Sequence, residues 1–417
     1  MRSSVRVSAP RAVLVVATAL GLAFGLARPG GAAVEDPVSV PPALPGAAAE
    51  GRYLDSDFDV SRTRVDVPYG EAMNSRGERQ TLLLDVYEPD GDGEQFRPAV
   101  VWVHGGYFLR GSKTDVQFLH HLTRRGYVTV PITYRVRPEM PEGLGGIVLS
   151  PDVAENAPYF IDAVRDAQHD TMAAIRWVRA NAADLRVDPG RIVVAGHSAG
   201  GLTTFNVVFN SEDPGDSGNP GWSSLVAAGL SSAGAYGPGI SGRAALPGDA
   251  PMLVMHGTHD TVVPVVGSTL PCANKLAVGT VCEQRLYPGA GHGLPVDDRG
   301  ITSAQFLYRH VIGAPRTGSH FETVTAVPQG GRAVVMGRLR DADGAAVGGA
   351  RVLARATAGW AEATTGPDGS FTLTVDAPDH GRTASVLLRY EGHFEGTGLL
   401  ARNRAPAHTT VTATWGG

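Results

Sequence analysis

Hydrophobic spacing divides the chain into two textures, with the change near residue 320. In the first, short runs of near-continuous apolar residues alternate with longer stretches at helical spacing. TLLLDVYEP (81–89), RPAVVWVHGG (97–106), YVTVPITYRV (127–136) and IVVAG (192–196) predict strands, as do 226–232, PMLVMHG (251–257) and CEQRLYP (282–288). Runs this continuous suit strands buried on both faces. Between them, TDVQFLHHLTRRG predicts a helix with Thr114 as its cap and Gly126 as its stop. FIDAVRDAQHDTMAAIRWVRANAADL (160–185) predicts a long amphipathic helix, with Ile161, Val164, Ala167, Met172, Ile175 and Val178 close to helical spacing. Helical patterns also follow residue 200 and occupy about 267–279 and 301–313. The alternation predicts an α/β fold with a doubly wound, mostly parallel sheet. Residues 137–160 are rich in Pro and Gly and carry no clear period.

The second texture is different. AVVMGRLRDADGAAVGGARVLARAT, GSFTLTVDAP and TASVLLRYEG are short alternating runs punctuated by Asp-Gly and Gly-Gly turns. They predict a small all-β sandwich domain at 329–417, joined by a linker at 314–328 to an α/β domain at 61–313.

The amino-terminal 33 residues stand apart. Arg2, Arg6 and Arg11 precede the apolar stretch AVLVVATALGLAFGLA, and small residues follow in RPGGAAVEDP. This is the plan of a secretory signal peptide cleaved after Ala33. Its apolar core is short for a span of about 20 residues, which argues against an uncleaved anchor. The expectation is a secreted protein with no stable membrane span after cleavage. Residues 34–60, rich in Pro, Ala and Gly, read as a loose lead-in.

Charge and cysteine content narrow the function. The formal net charge is −5 and no basic stripe is present, which argues against a nucleic-acid partner. Only Cys272 and Cys282 occur. In an exported chain they can form a disulfide closing one small loop. The alternative is two buried free thiols.

The candidate chemistry starts at IVVAGHSAGG. Gly196 and Gly200 flank Ser198 at the turn from a predicted strand into a predicted helix, the G-x-S-x-G nucleophile elbow. A serine hydroxyl needs a base to become a strong nucleophile. PMLVMHGTHDTVVP places Asp260 in the loop leaving one strand, and CEQRLYPGAGHGLP places His292 in the loop leaving the next. Both loops belong at the carboxyl edge of the sheet, where open α/β sheets build their sites. In this reading His292 is the base and Asp260 fixes its tautomer. His256 and His259 compete as bases but read as supporting residues. Asp297 and Asp298 compete as acids but follow the base in sequence. HGGYFLRGS, after the strand at 97–103, offers backbone N–H donors for an oxyanion from Gly106 and Tyr107, with Gly105 as an alternate and Ala199 from the elbow.

With HGGYF, GHSAGG, HGTHD and YPGAGHG in place, residues 80–313 resemble the α/β-hydrolase superfamily and, within it, the serine carboxylesterases. The resemblance implies hydrolysis of carboxylic esters through an acyl-serine, with no metal or organic cofactor, and an ester as substrate, either a small molecule or a polymer-linked acyl group. Many relatives carry a third glycine where this chain has Tyr107, while related feruloyl and acetylxylan esterase-like proteins and arylformamidases also place a bulky residue there. GRLRDADGAAVGGARV with TTGPDGSFTLTV resembles the carboxypeptidase regulatory-like, transthyretin-like β-sandwich, an accessory module for which glycan or surface contact is one reading. Two competing functions stay open: a peptidase or amidase, arylformamidase-like chemistry included, on the same fold, and a catalytically idle hydrolase-fold binding or adhesion protein.

Overall fold

The structure is a computed structural model that describes residues 51–138, 153–210, 213, 215–236, 243–314, 318–329, 331–356, 360–376, 383–390 and 407–414. The expected signal peptide (1–33) and most of the expected lead-in (34–50) lie outside the described residues.

Eight strands form the main sheet: β1 (Val60–Met73), β2 (Arg79–Pro89), β3 (Arg97–Val103), β4 (Val128–Ile132), β5 (Val187–His197), β6 (Ala228–Ser232), β7 (Met252–Gly257) and β8 (Cys282–Tyr287). Their order across the sheet is β1-β2-β4-β3-β5-β6-β7-β8. β1 and β2 pair antiparallel, β2 meets β4 antiparallel, and every pair from β4 to β8 is parallel. The doubly wound architecture expected from the alternating runs is thus present, with an antiparallel β1–β2 edge in addition.

Alternation within single strands explains the layers. In β3, Ala99, Val101 and Val103 join one hydrophobic cluster while Val100 and Trp102 join another. In β5, Ile192 and Val194 divide in the same way from Val193 and Ala195. A strand whose successive side chains point to opposite faces needs apolar residues at every position when both faces are covered. Two helices cover the first face: α2 (Val153–Ala180), with Ala167, Ile175 and Val178, and α3 (Ala199–Phe209), with Phe205 and Val208. The second is covered by α1 (Gln117–Thr123), with Phe118, Leu119 and Leu122, and by α5 (Val296–Leu307), with Phe306 and Leu307. Helix α4 (Val266–Ala277) bridges β7 and β8, and a disulfide joins its Cys272 to Cys282 at the start of β8, with Cα atoms 5.4 Å apart.

Three elements differ from their sequence reading. Helix α1 begins at Gln117 with Val116 at its cap and no side-chain capping bond, so Thr114 is not the cap. Helix α2 begins at Val153, ahead of the apolar periodicity, and ends at Ala180. The stretch read as a linker (314–328) contains strand β9 (Ser319–Gln329), which pairs along its length with β10 (Arg332–Asp341).

Strands β9 and β10 open a carboxyl-terminal unit of two antiparallel sheets. The others are β11 (Arg351–Arg355), β12 (Trp360–Thr364), β13 (Ser370–Asp376), β14 (Thr383–Tyr390) and β15 (Ala407–Thr414), in the orders β13-β10-β9 and β12-β11-β14-β15. Val335 and Leu373 from one sheet meet Val352, Val386 and Leu388 from the other in a single core cluster. Arg389 of β14 is fully buried and reaches the amino-terminal end of β5, donating to the Val187 carbonyl and, at 3.3 Å, to that of Ala182. It also lies 4.0 Å over the Phe96 ring, and Trp360 Nε1 donates to Asp184 Oδ1 at 2.8 Å. These contacts sit at the opposite end of β5 from Ser198.

Candidate active site

The chain leaves β3 for β4 on one side and returns to β5 on the other, so the winding direction reverses between β3 and β5. Open α/β sheets hold their ligands in the crevice at such a switch point, outside the carboxyl ends of the strands. Here the β3 end carries Gly105–Tyr107 and the β5 end carries Ser198.

Ser198 occupies φ +57°, ψ −118°, a strained backbone for a non-glycine residue. Its neighbours explain how the turn closes. A Cβ at Gly196 would stand 2.2 Å from the Gly200 carbonyl oxygen, and one at Gly200 would stand 1.9 Å from that of Val103. The chain crosses itself and β3 too closely for any side chain at either position. The Ser198 N–H donates to the Ser232 carbonyl on β6 at 2.8 Å, fixing the elbow to the neighbouring strand.

Ser198, His292 and Asp260 lie in one hydrogen-bonded line. Ser198 Oγ is 2.8 Å from His292 Nε2, and His292 Nδ1 is 2.8 Å from Asp260 Oδ2. The Asp260 side chain is fully buried, whereas that of His292 is 22% exposed, so the line runs from the protein interior to a face that substrate can reach. The other Asp260 oxygen, Oδ1, accepts the N–H groups of Val262 and Val263, each at 2.9 Å. Burial pushes this carboxyl up, but the His292 contact and the two backbone donors outweigh it and hold it below the usual carboxylate range.

The acid and base loops are stitched together. His259 N–H donates to the Ala290 carbonyl at 2.9 Å, Thr258 N–H to that of Tyr287 at 3.1 Å, and Gly289 N–H to Thr258 Oγ1 at 2.9 Å. The separation of Asp260 from His292 is therefore set by backbone rather than by flexible side chains.

The loop after β3 holds three consecutive positive φ values, at Gly106 (+114°), Tyr107 (+60°) and Phe108 (+63°). Bulky residues adopt that region only when their surroundings impose it. Phe108 is buried, its carbonyl accepts Arg137 N–H at 2.8 Å, and Gly106 O accepts Leu109 N–H at 3.0 Å. His104 Nδ1 donates to Gly105 O at 2.7 Å, and the His104 ring stacks on Tyr134 at 4.2 Å. Gly105 lies against the nucleophile, since a Cβ there would come within 3.2 Å of Ser198 Cβ. Among the described residues, no loop or turn hydrogen bond takes the N–H of Gly105, Gly106, Tyr107 or Ala199.

The competing residues are placed elsewhere. His259 is exposed beside Thr258, Asp297 is solvent-facing and pairs with His121, and Asp298 pairs with Arg285. His256 is fully buried behind Asp260. Sequence reasoning did not single out His197 or Ser232. The His197 ring lies 5.1 Å from that of His292, and its Nδ1 is 3.2 Å from Ser232 Oγ, which also accepts Arg299 Nη1 at 3.2 Å. Burial, then the positive charge of nearby Arg299, push His197 down to about 3, so it is neutral. The one available signal was its place beside Ser198 in the elbow motif.

The model of the carboxylesterase family matches residues 63–212, a segment that contains both the loop after β3 and the elbow. Over this segment the chain is similar to the carboxylesterase family. The family match ends before Asp260 and His292, whose grouping with Ser198 rests on geometry alone. Carboxylesterase relatives include liver carboxylesterase 1 of Oryctolagus cuniculus, 27% identical over 169 residues, which are 40% of this chain and 26% of that protein. Fumonisin B1 esterase of Sphingopyxis macrogoltabida is 28% identical over 187 residues, 44% of this chain and 32% of that protein. The chain thus aligns with about a third or less of the length of these relatives. Among solved structures, the apo form of Thermogutta terrifontis esterase 2 is similar over 61% of this chain and 98% of that one, at 24% identity and a TM-score of 0.47.

Proposed function

We propose that this protein is an exported serine carboxylesterase, with Ser198 as nucleophile, His292 as general base and Asp260 as the acid that orients it. The observation that carries the reading is the line from Ser198 Oγ through His292 to Asp260, with both hydrogen bonds at 2.8 Å.

The chemistry follows from who holds which proton. Two backbone donors occupy Asp260 Oδ1, leaving Oδ2 ionised and facing Nδ1 of His292. That contact keeps a proton on Nδ1 and leaves the Nε2 lone pair toward Ser198. As Ser198 Oγ bonds to the ester carbonyl carbon, its proton passes to Nε2 and the carbonyl π electrons move to oxygen. The oxyanion takes N–H donors from Ala199 and from Gly106 and Tyr107, groups that have no internal loop partner to give up. Collapse breaks the bond to the alkoxide, which leaves with the Nε2 proton as alcohol. Water then attacks the acyl-serine by the same route, giving its proton to His292 and releasing the carboxylic acid as Ser198 recovers its own.

The signal-like amino terminus and the Cys272–Cys282 disulfide support an oxidising, extracellular location. We assign the carboxyl-terminal sheets an accessory role, since their contacts fall at the end of β5 away from Ser198. The test is turnover of short-chain aryl esters and of matched anilides by the wild type and by Ser198→Ala. Rapid ester cleavage that vanishes in Ser198→Ala is expected. Anilide cleavage as fast as ester cleavage would make the protein an amidase instead.

A further inference from the structure

We propose that His256 is a positioning residue for Asp260, holding the acid's loop and its second oxygen from behind; this rests on the triad reading above. His256 ends β7, four residues before Asp260, and is fully buried. Its Nε2 lies 2.9 Å from the Val263 carbonyl and 3.2 Å from Asp260 Oδ2. Its Nδ1 lies 2.8 Å from Ser268 Oγ on α4.

These contacts assign the proton. A carbonyl and a carboxylate can only accept, so Nε2 carries the hydrogen and gives it to the Val263 carbonyl with Asp260 Oδ2 close by, while Nδ1 faces the Ser268 hydroxyl at 2.8 Å, nearer than the Val265 carbonyl that the same hydroxyl meets at 3.0 Å. The result closes a ring. Asp260 Oδ1 takes the Val262 and Val263 N–H groups, and the Val263 carbonyl takes His256. Asp260 Oδ2 then lies between two imidazoles, His292 donating in front at 2.8 Å and His256 Nε2 behind at 3.2 Å. Burial pushes His256 down, so it donates as a neutral ring. A second cation there would compete with the imidazolium that forms at His292 for the same oxygen.

The test compares the full-length variants His256→Gln, His256→Asn, His256→Phe, Asp260→Asn and the double variant Asp260→Asn/His256→Asn on a p-nitrophenyl ester, with Ser198→Ala as control. Gln places its amide N–H where Nε2 stood, whereas Asn remains polar but is too short to reach Val263 and Asp260. Phe and Asn should lower kcat about 10- to 100-fold, the scale of a lost hydrogen bond to a charged group, with KM unchanged. Gln should recover most of that loss. In an Asp260→Asn background, His256→Asn should cost little more, because the two residues act as a unit. Equal kcat for Gln and Asn, or wild-type kcat for both, would overturn the proposal even if Phe fails to fold. Should Ser198→Ala keep its activity, the triad reading itself fails, which is a separate result.

Discussion

Replacing Asp260 by Asn changes one atom of the site and should cost nearly all of its rate. The direction follows from the two backbone donors. Val262 and Val263 N–H both point at Oδ1, so the amide carbonyl must take that position and its NH₂ must face His292. An NH₂ there can only donate, so His292 Nδ1 must give up its hydrogen and Nε2 must carry it. The imidazole then presents a donor to Ser198 Oγ and cannot take its proton. In a serine–histidine site the wrong tautomer costs about 10⁴ in kcat, or about 5.4 kcal/mol at 1.36 kcal/mol per tenfold. The assay is kcat and KM on a short-chain p-nitrophenyl ester, with circular dichroism to confirm the fold. Asp298→Asn serves as control, because Asp298 pairs with Arg285 and should tolerate the change with wild-type kcat. An Asp260→Asn enzyme within tenfold of wild type, or an Asp298→Asn enzyme with the larger loss, would refute the reasoning.

Other expectations follow from packing, the disulfide and titration. Gly200→Ala would drive a methyl to 1.9 Å from the Val103 carbonyl, so destabilisation above about 4 kcal/mol is expected; a thermal melt close to wild type would contradict it. Reducing the Cys272–Cys282 bridge opens a loop with a sequence separation of 10 and should remove roughly 2 to 3 kcal/mol, read as a drop of several degrees in Tm with the fold retained. An unchanged melt would show that the bridge contributes nothing. Acid should also destabilise the protein. Buried His197, held down at about 3, and His256 and His104, also lowered by burial, stay neutral while the unfolded chain takes up protons below about pH 6.5. Stability present above that pH should therefore fall as pH drops, by about 1.4 kcal/mol per unit for each such histidine until its folded pKa is reached. Urea midpoints measured from pH 7 to 5 test this, and a flat profile would exclude neutral burial of these rings.

Much of the candidate site could be read from the sequence because each residue follows the end of a strand whose apolar run is visible in the chain. Glycines around Ser198 and His292, and the order of the three loops, are local signals. The supporting groups are different in kind. His256 meets Val263 and Ser268, and Ser232 meets His197 and Arg299, through the packing of separate elements that no spacing encodes. Strand β1 escaped notice because it is an edge strand with bulges, largely polar and exposed, so neither alternation nor apolar continuity marks it. Strand β9 reads as a linker for a related reason. Only Phe321, Val324 and Ala326 turn toward the core, and Pro328 breaks the pattern. The start of α2 at Val153 precedes its apolar periodicity, so spacing does not mark it.

The central claim is that Ser198 is the acyl acceptor. Incubation with a fluorophosphonate, followed by intact mass and peptide mapping, tests it most directly. One adduct per chain is expected, on Ser198, forming in step with loss of esterase activity and absent from His292→Ala, whose serine has no base. An adduct on another residue, or esterase activity that survives full labelling of Ser198, would contradict it.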